Sequence, residues 1–378
     1  MATTTIEKLA EFGQSVWLDS ISRSLIKSGR LKEMVDMGLS GMTSNPTIFD
    51  KAISSSNDYD EKICELYAAG KSIFEMYDDI TIWDVQDAAD IFMPVYEKTN
   101  GRDGYVSLEI NPKLALDTKE TIEEGRRLYE KANRPNVMFK VPATDAGFGA
   151  IEELLAEGIN INITLIFSLE QYIKTVQAFF AGMKKLLEKQ NDLSKIQSVA
   201  SVFVSRVDTA VDGMIDEFLE TEKDRLIRDK LQSLKGKASV ANANLIFKKY
   251  LEFFSSDEFA QLKQKGANIQ RVLWGSTSTK NPAYSDIKYV VELIGKNTIN
   301  TMPENTFQAF LDHGVVREAL SGETNEAQKV IADLNSFIIY INQICKNLLD
   351  EGIDAFQKSF ASLLNSIEMK TKKLCMKI

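Results

Sequence analysis

A lysine lies in the middle of NVMFKVPA (136–143), a segment that is otherwise typical of a buried β-strand. Lysine is almost never fully buried unless another group holds it. Burial removes water from the ammonium group and favours the neutral amine, which attacks carbonyl carbons and forms Schiff bases. The iminium withdraws electrons, so a neighbouring C–C bond can break or form without a metal. These properties favour a nucleophilic Lys140.

Two carboxylates lie in comparable positions, Asp19 in VWLD and Glu109 in YVSLE. They are the only acids found in the middle of the candidate strands of this chain. Proton transfer beside a Schiff base needs a general base, and these two residues are the candidates for that role. The alternative is that Lys140 forms a structural ion pair with one of them.

Five strand segments carry one aliphatic face and one polar face, because successive side chains of a strand point to opposite sides. The second set consists of Trp17 and Asp19, Ser107 and Glu109, Met138 and Lys140, Asn160, Asn162 and Thr164, and Ser201, Phe203 and Ser205. A half-solvated antiparallel sheet alternates in the same way, but intervening helices should cover its outer face. We expect the polar set to converge inside a barrel, near the carboxyl ends of the strands.

Eight short β-branched or aliphatic runs alternate with longer stretches of helical period. The candidate strands are 15–20, 38–45, 105–110, 136–143, 159–167, 198–205, 271–278 and 297–303. This alternation predicts an α/β fold with a parallel sheet covered by helices, and eight strands close a (β/α)8 TIM barrel. An open doubly wound sheet is the alternative, but no G-x-G-x-x-G or P-loop follows the first strand.

The 378 residues are predicted to form a single domain, 1–378, with the barrel core at about 13–313. The connections 46–104 and 206–270 are too long for a minimal barrel and have helical periodicity, which predicts helical insertions. A short helix is expected at 4–12. Helices within 324–376 would form a C-terminal extension packed on the barrel or on another subunit, so a monomer and a homodimer are both possible.

Composition argues against several classes of function. The net charge of -9 and the pI of about 5.1 disfavour binding to nucleic acid or anionic membranes. A single histidine, His313, excludes multi-histidine metal sites and argues against Ser-His catalysis. We expect no metal and no cofactor.

The sequence also leads to expectations about the cellular location of the protein and the redox state of its cysteines. The first residues, MATTTIEKLAEFGQSVWLD, lack the basic start and apolar core typical of a secretory signal, and no apolar run reaches the ~20 residues that a membrane span needs. We expect a cytoplasmic protein, although a processed organellar protein would look the same. Cys64, Cys345 and Cys375 lie far apart, which predicts a reducing compartment and no disulfide framework.

Basic and hydroxyl residues after the sixth and seventh strands suggest an anionic substrate. Arg206 follows VFVS and can bind a phosphate through two hydrogen bonds, although for Arg206 alone a surface salt bridge explains the residue as well. The loop WGSTSTKNP (274–282) offers Ser276 and Lys280, and the loops after barrel strands seven and eight commonly bind phosphate. Together they predict a sugar-phosphate site.

The chain resembles the transaldolase family, the class I Schiff-base enzymes of the pentose phosphate pathway. The motifs that carry the resemblance occur in family order over about residues 13–310: WLDSISRSLI, GMTSNPTIF, VSLEINP, NVMFKVPAT, NINITLIFS, SVFVSRVD and STKNP. The length, together with WGSTSTKNPAYSD and NTMPENT, resembles the long subfamily of plants and many bacteria.

The resemblance implies a (β/α)8 barrel whose Schiff-base lysine, on the fourth strand, is Lys140. It implies that Glu109 and Thr164 activate a catalytic water and that Asp19 is the acid/base for C–C cleavage. Residues expected to hold the dihydroxyacetone unit are Thr43, Asn45, Asn162 and Ser201. Arg206 would bind the phosphate. The family's second basic residue, usually an arginine after strand seven, is not matched directly, and Lys280 takes its place at an offset of about one position.

The implied reaction moves a dihydroxyacetone unit from sedoheptulose 7-phosphate to glyceraldehyde 3-phosphate, giving erythrose 4-phosphate and fructose 6-phosphate. One alternative is a fructose 6-phosphate aldolase, but those relatives are shorter and carry tyrosine where this chain has Phe203. Another is a catalytically silent sugar-phosphate-binding barrel, which would be expected to have lost Lys140, Glu109 or Asp19.

Overall fold

The computed structural model describes residues 3–375, and its eight strands form a closed parallel barrel in the order of the sequence. The strands are β1 (Gln14–Asp19), β2 (Gly41–Thr43), β3 (Tyr105–Glu109), β4 (Val137–Pro142), β5 (Ile161–Ile166), β6 (Ser198–Phe203), β7 (Arg271–Gly275) and β8 (Thr298–Met302). β8 pairs with β1 and closes the barrel. The predicted (β/α)8 fold is confirmed, and the alternatives of an open sheet and an antiparallel sheet are excluded.

Seventeen α-helices lie in the described part of the chain. Those before β5 are α1 (Thr5–Phe12), α2 (Arg23–Lys27), α3 (Arg30–Asp36), α4 (Pro46–Ser55), α5 (Asp60–Ala68), α6 (Ile73–Lys98), α7 (Thr118–Ala132) and α8 (Asp145–Ala156). The others are α9 (Leu169–Lys189), α10 (Ser205–Thr221), α11 (Arg225–Leu234), α12 (Ala238–Phe254), α13 (Asp257–Lys263), α14 (Lys288–Val291), α15 (Glu304–His313), α16 (Asn325–Ser336) and α17 (Ile341–Leu374). A 3-10 helix, Pro112–Leu114, follows β3. None of these helices is both long and apolar enough to cross a membrane.

Helices occupy the two long connections and the C-terminal extension. α4, α5 and α6 lie between β2 and β3, α10 to α13 lie between β6 and β7, and α16 and α17 follow the barrel. The assignment of the whole chain to a single domain stays a prediction.

The aliphatic face of each strand packs under the surrounding helices, as the alternation predicts. Val16, Leu18, Val106 and Leu108 are all at most 2% exposed and belong to the main core, which also includes residues of α6 to α9. The hydrophobic effect therefore fixes which face of each strand points outward. The polar set must then point into the barrel.

An apolar plug fills the barrel interior toward its amino-terminal end. It consists of Trp17, Tyr105, Met138, Val199, Leu273 and Ile299, each at most 1% exposed. β2 contributes Gly41 at this level, because a Cβ there would lie 2.5 Å from the Trp17 ring. The plug leaves the carboxyl-terminal half of the barrel for polar side chains.

The last helix, α17, lies against α4 and α5 of the first insertion. Thr47 donates to Ser359 at 2.8 Å, Ser366 donates to Asp50 at 2.8 Å, and Lys370 binds Asp60 at 2.5 Å. The extension therefore packs on the barrel of its own chain, one of the two arrangements expected from the sequence.

The prediction of no disulfide is wrong, because Cys64 and Cys375 are bonded in the structure. They are separated by 311 residues. Cys64 lies on α5 and Cys375 directly follows α17, and only the fold brings them together, with 5.4 Å between their Cα atoms. The third cysteine, Cys345, is buried and unpaired, and burial raises the pKa of its thiol to about 12.

Loss of this disulfide should destabilise the protein. Cys375→Ser is expected to lower the free energy of unfolding by about 2–4 kcal/mol, since the bond restricts the unfolded chain. Denaturant titration of the oxidised protein measures the difference.

Cys64→Ser and the double serine variant serve as matched controls, because each removes the same single bond. All three should unfold alike and lose their sensitivity to reductant. Identical unfolding of the oxidised and reduced wild-type protein would contradict the assignment of this bond.

Candidate active site

Lys140 and Glu109 form a buried ion pair inside the barrel. The Lys140 Nζ lies 2.9 Å from Glu109 Oε2 and donates to the Ser44 carbonyl at 3.0 Å. Lys140 is 4% exposed and Glu109 5%. The two residues are opposite each other in the β3–β4 register. The lysine is thus buried and paired. This agrees with the alternative of a structural ion pair, and it also places the amine and an acid in contact, as the reaction would need.

Asp19 lies on β1 opposite Thr43 of β2. Thr43 donates to the Asp19 carboxylate at 2.8 Å, and the Thr43 and Thr301 hydroxyls are also 2.8 Å apart. Burial raises the pKa of Asp19, whereas the charge of Lys140, the Thr43 hydrogen bond and the charge of Lys280 oppose that rise. Desolvation outweighs these three contributions, so the carboxyl group holds its proton to a higher pH than an exposed aspartate.

The pKa of Glu109 depends on a similar balance of opposing contributions. Burial raises the pKa of its carboxyl group, the charge and hydrogen bond of Lys140 oppose this, and the nearby charge of Asp19 raises it further. Two carboxyl groups with raised pKa values therefore flank one amine. A carboxyl group with a raised pKa holds its proton more readily than an exposed one and can pass it to a bound molecule.

β5 and β6 add hydroxyl and amide groups beside this cluster. Ser201 donates to Asn162 Oδ1 at 2.5 Å, and Asn162 Nδ2 donates to Ser107 at 3.0 Å. Asn162 is opposite Lys140 in the register. Thr164 is fully buried, and its hydroxyl has no hydrogen-bond partner within residues 3–375.

Two residues at or next to the site, Leu165 and Ser276, have a strained backbone. Leu165 follows Thr164 with a φ of 57°, in an irregular stretch of the β5–β6 pairing between Ile163 and Ile166. Ser276, just after β7, has a φ of 53° and contacts the Ser205 hydroxyl at 3.0 Å. Non-glycine residues in the left-handed region are uncommon and concentrate at functional sites.

A cavity of about 290 Å³ opens from this cluster, close to the smallest pockets that bind small molecules, roughly 300 Å³. The predicted site residues that line it are Asp19, Thr43, Asn45, Lys140, Thr164, Ser201, Phe203, Arg206, Ser276 and Lys280. Glu109 and Asn162 are not among its lining residues and lie behind Lys140 and Ser201. The structure thus brings ten of the twelve predicted residues to one cavity and the other two into contact with them.

The basic residues of the cavity have few competing partners. Arg206, in the first turn of α10, forms no ion pair within the described residues, and its guanidinium carbon lies 5.6 Å from the centre of the Phe203 ring. Burial lowers the pKa of Arg206, partly offset by the charge of Glu351. The surface salt bridge that would have explained Arg206 is absent from residues 3–375. Lys280 donates to Ser278 at 2.8 Å.

Several cavity residues were not predicted from the sequence. They are Thr47, Ile48, Leu273, Gly275, Thr277, Ser278, Thr301, Pro303 and Phe356. Most belong to segments already assigned to the site, so their strand-end positions could have identified them. Phe356 is different, because it lies on α17, where an apolar residue at helical spacing indicates only a packed face.

Comparison with known proteins identifies the same family in each case. Residues 16–367 match the family described as transaldolase/fructose-6-phosphate aldolase. A transaldolase of Trichodesmium erythraeum is 46% identical over 377 residues, which is 99% of both chains. A protein named transaldolase 2 from a Nostoc species is 44% identical over 99% of both chains, and one from Streptomyces coelicolor is 43% identical over 98% of both.

The raised pKa of Asp19 predicts how its charge affects stability. A carboxyl group with a higher pKa in the folded state stabilises the fold only while it is protonated, and this contribution is lost as the pH rises through the folded-state pKa. Asp19→Asn should therefore be more stable than the wild type at pH 7, and the difference should shrink as the pH falls toward 4. Thermal unfolding across this range measures it.

Asp229→Asn is the control, because the Asp229 side chain is 70% exposed on α11. It should shift the melting temperature little at any pH. A destabilised Asp19→Asn at pH 7, or a difference that does not change with pH, would contradict the desolvation argument.

Proposed function

The chain belongs to the transaldolase and fructose-6-phosphate aldolase family, and we propose that its reaction proceeds through a Schiff base on Lys140. The transaldolase reaction transfers a dihydroxyacetone unit in the non-oxidative pentose phosphate pathway. Sedoheptulose 7-phosphate is the proposed donor and glyceraldehyde 3-phosphate the acceptor. The observation that carries this proposal is the buried Lys140–Glu109 pair at the base of a cavity lined by Asp19 and Arg206.

Lys140 acts as the nucleophile. Its neutral amine attacks C2 of the ketose and forms a C–N bond, and the carbinolamine then loses water to give the iminium. Glu109 takes up and returns the protons of these steps, because its carboxylate oxygen lies 2.9 Å from the Lys140 amine. The unpartnered Thr164 hydroxyl can hold the water that leaves and later returns.

Asp19 acts as the base for C–C cleavage. It removes the proton from the C4 hydroxyl, the C3–C4 bond breaks, and the bonding electrons move into the iminium to give an enamine. The aldose phosphate then leaves. In the reverse direction the enamine attacks the acceptor aldehyde, and Asp19 returns the proton to the new alkoxide. A raised pKa helps the same carboxyl group both to take up this proton and to return it.

Polar groups around Lys140 would hold the three-carbon unit. Thr43, Asn45 and Ser201 line the cavity and supply hydroxyl and amide groups for its two hydroxyls. Asn162 would act through Ser201, which donates to it. No metal or organic cofactor is proposed, because the iminium itself accepts the electrons.

Arg206 and Lys280 are the proposed phosphate ligands, with Ser276 beside them. An arginine without an ion-pair partner within residues 3–375 can offer two parallel hydrogen bonds to a phosphate. Lys280 adds a point charge from the loop after β7, and its contact with Ser278 is one that a bound anion could replace.

Transfer is favoured over simple aldol cleavage. The matching family includes both activities, but the relatives from Trichodesmium, Nostoc and Streptomyces are all named transaldolases. Phe203 lines the cavity where the aldolases carry tyrosine. The presence of Lys140, Glu109 and Asp19 together argues against a catalytically silent sugar-phosphate-binding protein.

The remaining expectations concern the cell. We propose that the protein acts in the cytoplasm as a monomer or homodimer on sugar phosphates, without nucleic-acid partners. The Cys64–Cys375 bond is unusual for that compartment, where thiols are mostly kept reduced. Counting thiols in protein isolated under trapping conditions would measure the redox state in the cell.

Borohydride reduction in the presence of fructose 6-phosphate tests the mechanism. The reagent should reduce the iminium and leave a three-carbon adduct on Lys140, identified by peptide mass mapping. Lys140→Met should remain folded, form no adduct and lose transfer activity.

Lys280→Met is the matched control, since Lys280 is a second lysine in the cavity. This variant should still form the adduct on Lys140. An adduct on another lysine in the wild type, or none at all, would refute the mechanism. Loss of the fold in Lys140→Met would instead support the structural ion pair.

A further inference from the structure

A residue of the C-terminal helix reaches the reaction centre. Phe356 of α17 lines the same cavity as Lys140, Asp19 and Arg206. The centre of its ring lies 5.8 Å from Lys140 Nζ, and the residue is only 5% exposed. Phe356 therefore forms an apolar wall beside the amine, on the side where α17 covers the barrel.

The close approach of α17 depends on a small residue one turn earlier. At Gly352, an added Cβ would lie 3.0 Å from a Leu165 methyl and 3.8 Å from Arg206 Nη1. Leu165 is the strained residue that follows Thr164. The helix thus touches the segment of β5 that carries Thr164, and α17 and the site are packed as one unit.

The groups around Lys140 differ in polarity. Glu109 and Thr164 offer groups that can hold and activate a single water molecule. Phe356 offers none, because a phenyl ring has no donor or acceptor for directing water toward a carbon. The ring therefore keeps water from approaching the iminium from the side that α17 covers, provided that it stays in place.

We infer that Phe356 is a specificity-determining residue that excludes water from the Lys140 Schiff base and so favours transfer of the three-carbon unit over its release. The inference rests on the proposed function. It assigns a part in the reaction to the C-terminal extension, which reaches the cavity through α17.

The competing reaction consumes one water and involves no redox change. The enamine first gains a proton at carbon from Asp19 and returns to the iminium. Water then adds to C2, forming a C–O bond and giving its proton to Glu109. The C–N bond then breaks as the hydroxyl proton of the carbinolamine passes to the nitrogen, and free dihydroxyacetone and the Lys140 amine are released.

The test compares substitutions at Phe356 with one at Phe360. Phe360 is the same residue type one turn further along α17, but it packs edge-on against Tyr77 and does not line the cavity. For each variant, release of free dihydroxyacetone from fructose 6-phosphate without acceptor is divided by the rate of transfer to an added aldose phosphate. Thermal unfolding is measured in parallel.

Phe356→Ala should raise this ratio by about tenfold, because water then reaches the intermediate from a second side. Phe356→Met fills most of the same space without a polar group and should restore a ratio close to that of the wild type. Phe360→Ala should lower the melting temperature but leave the ratio unchanged.

An unchanged ratio in Phe356→Ala would overturn the inference, as would an equal rise in Phe360→Ala. If Phe356→Ala does not fold, the ratio in Phe356→Met decides. A ratio about tenfold above that of the wild type would overturn the inference. A ratio close to that of the wild type would support it. Failure of the proposed function is distinguished by the wild type, which would then show neither transfer nor a borohydride-trapped adduct on Lys140.

Discussion

The burial of three charged groups at the centre of the barrel is the constraint on which the rest of the structure depends. Lys140, Glu109 and Asp19 lie on adjacent or nearby strands; Lys140 and Glu109 are at most 5% exposed, and Asp19 is partly buried. Moving such groups out of water is costly, and an ion pair recovers this cost only partly. Desolvation is the largest influence on the pKa of both carboxyl groups. The cluster is therefore better explained by chemistry than by stability.

The surrounding elements hold this unfavourable cluster in position. The barrel register sets Glu109 opposite Lys140, and Lys140 opposite Asn162. The Trp17 plug closes the space toward the amino-terminal end of the barrel. At the other end α17 covers part of the cavity with Phe356, and it is fixed to α4 and α5 through polar contacts and the bond to Cys64.

Much of the fold and of the site could be predicted, because both depend on local pattern. A two-residue alternation in the strands identifies the inward face, and the position of Lys140 on that face follows directly. Contacts between distant segments leave no such pattern. Cys64 and Cys375 show no relation in sequence, and Phe356 looks like any apolar residue of an amphipathic helix. The sequence also could not indicate that Glu109 and Asn162 lie behind the cavity wall, because that depends on the depth of each side chain within the barrel.

The central claim is that the Lys140–Glu109 pair serves the reaction and does not stabilise the fold. The most direct measurement is the stability and reactivity of the double variant Lys140→Met, Glu109→Met, in which apolar side chains of similar size replace both charges. The account predicts a free energy of unfolding at least equal to that of the wild type and no covalent adduct with fructose 6-phosphate. A double variant that is strongly destabilised, or one that still forms the adduct, would contradict it.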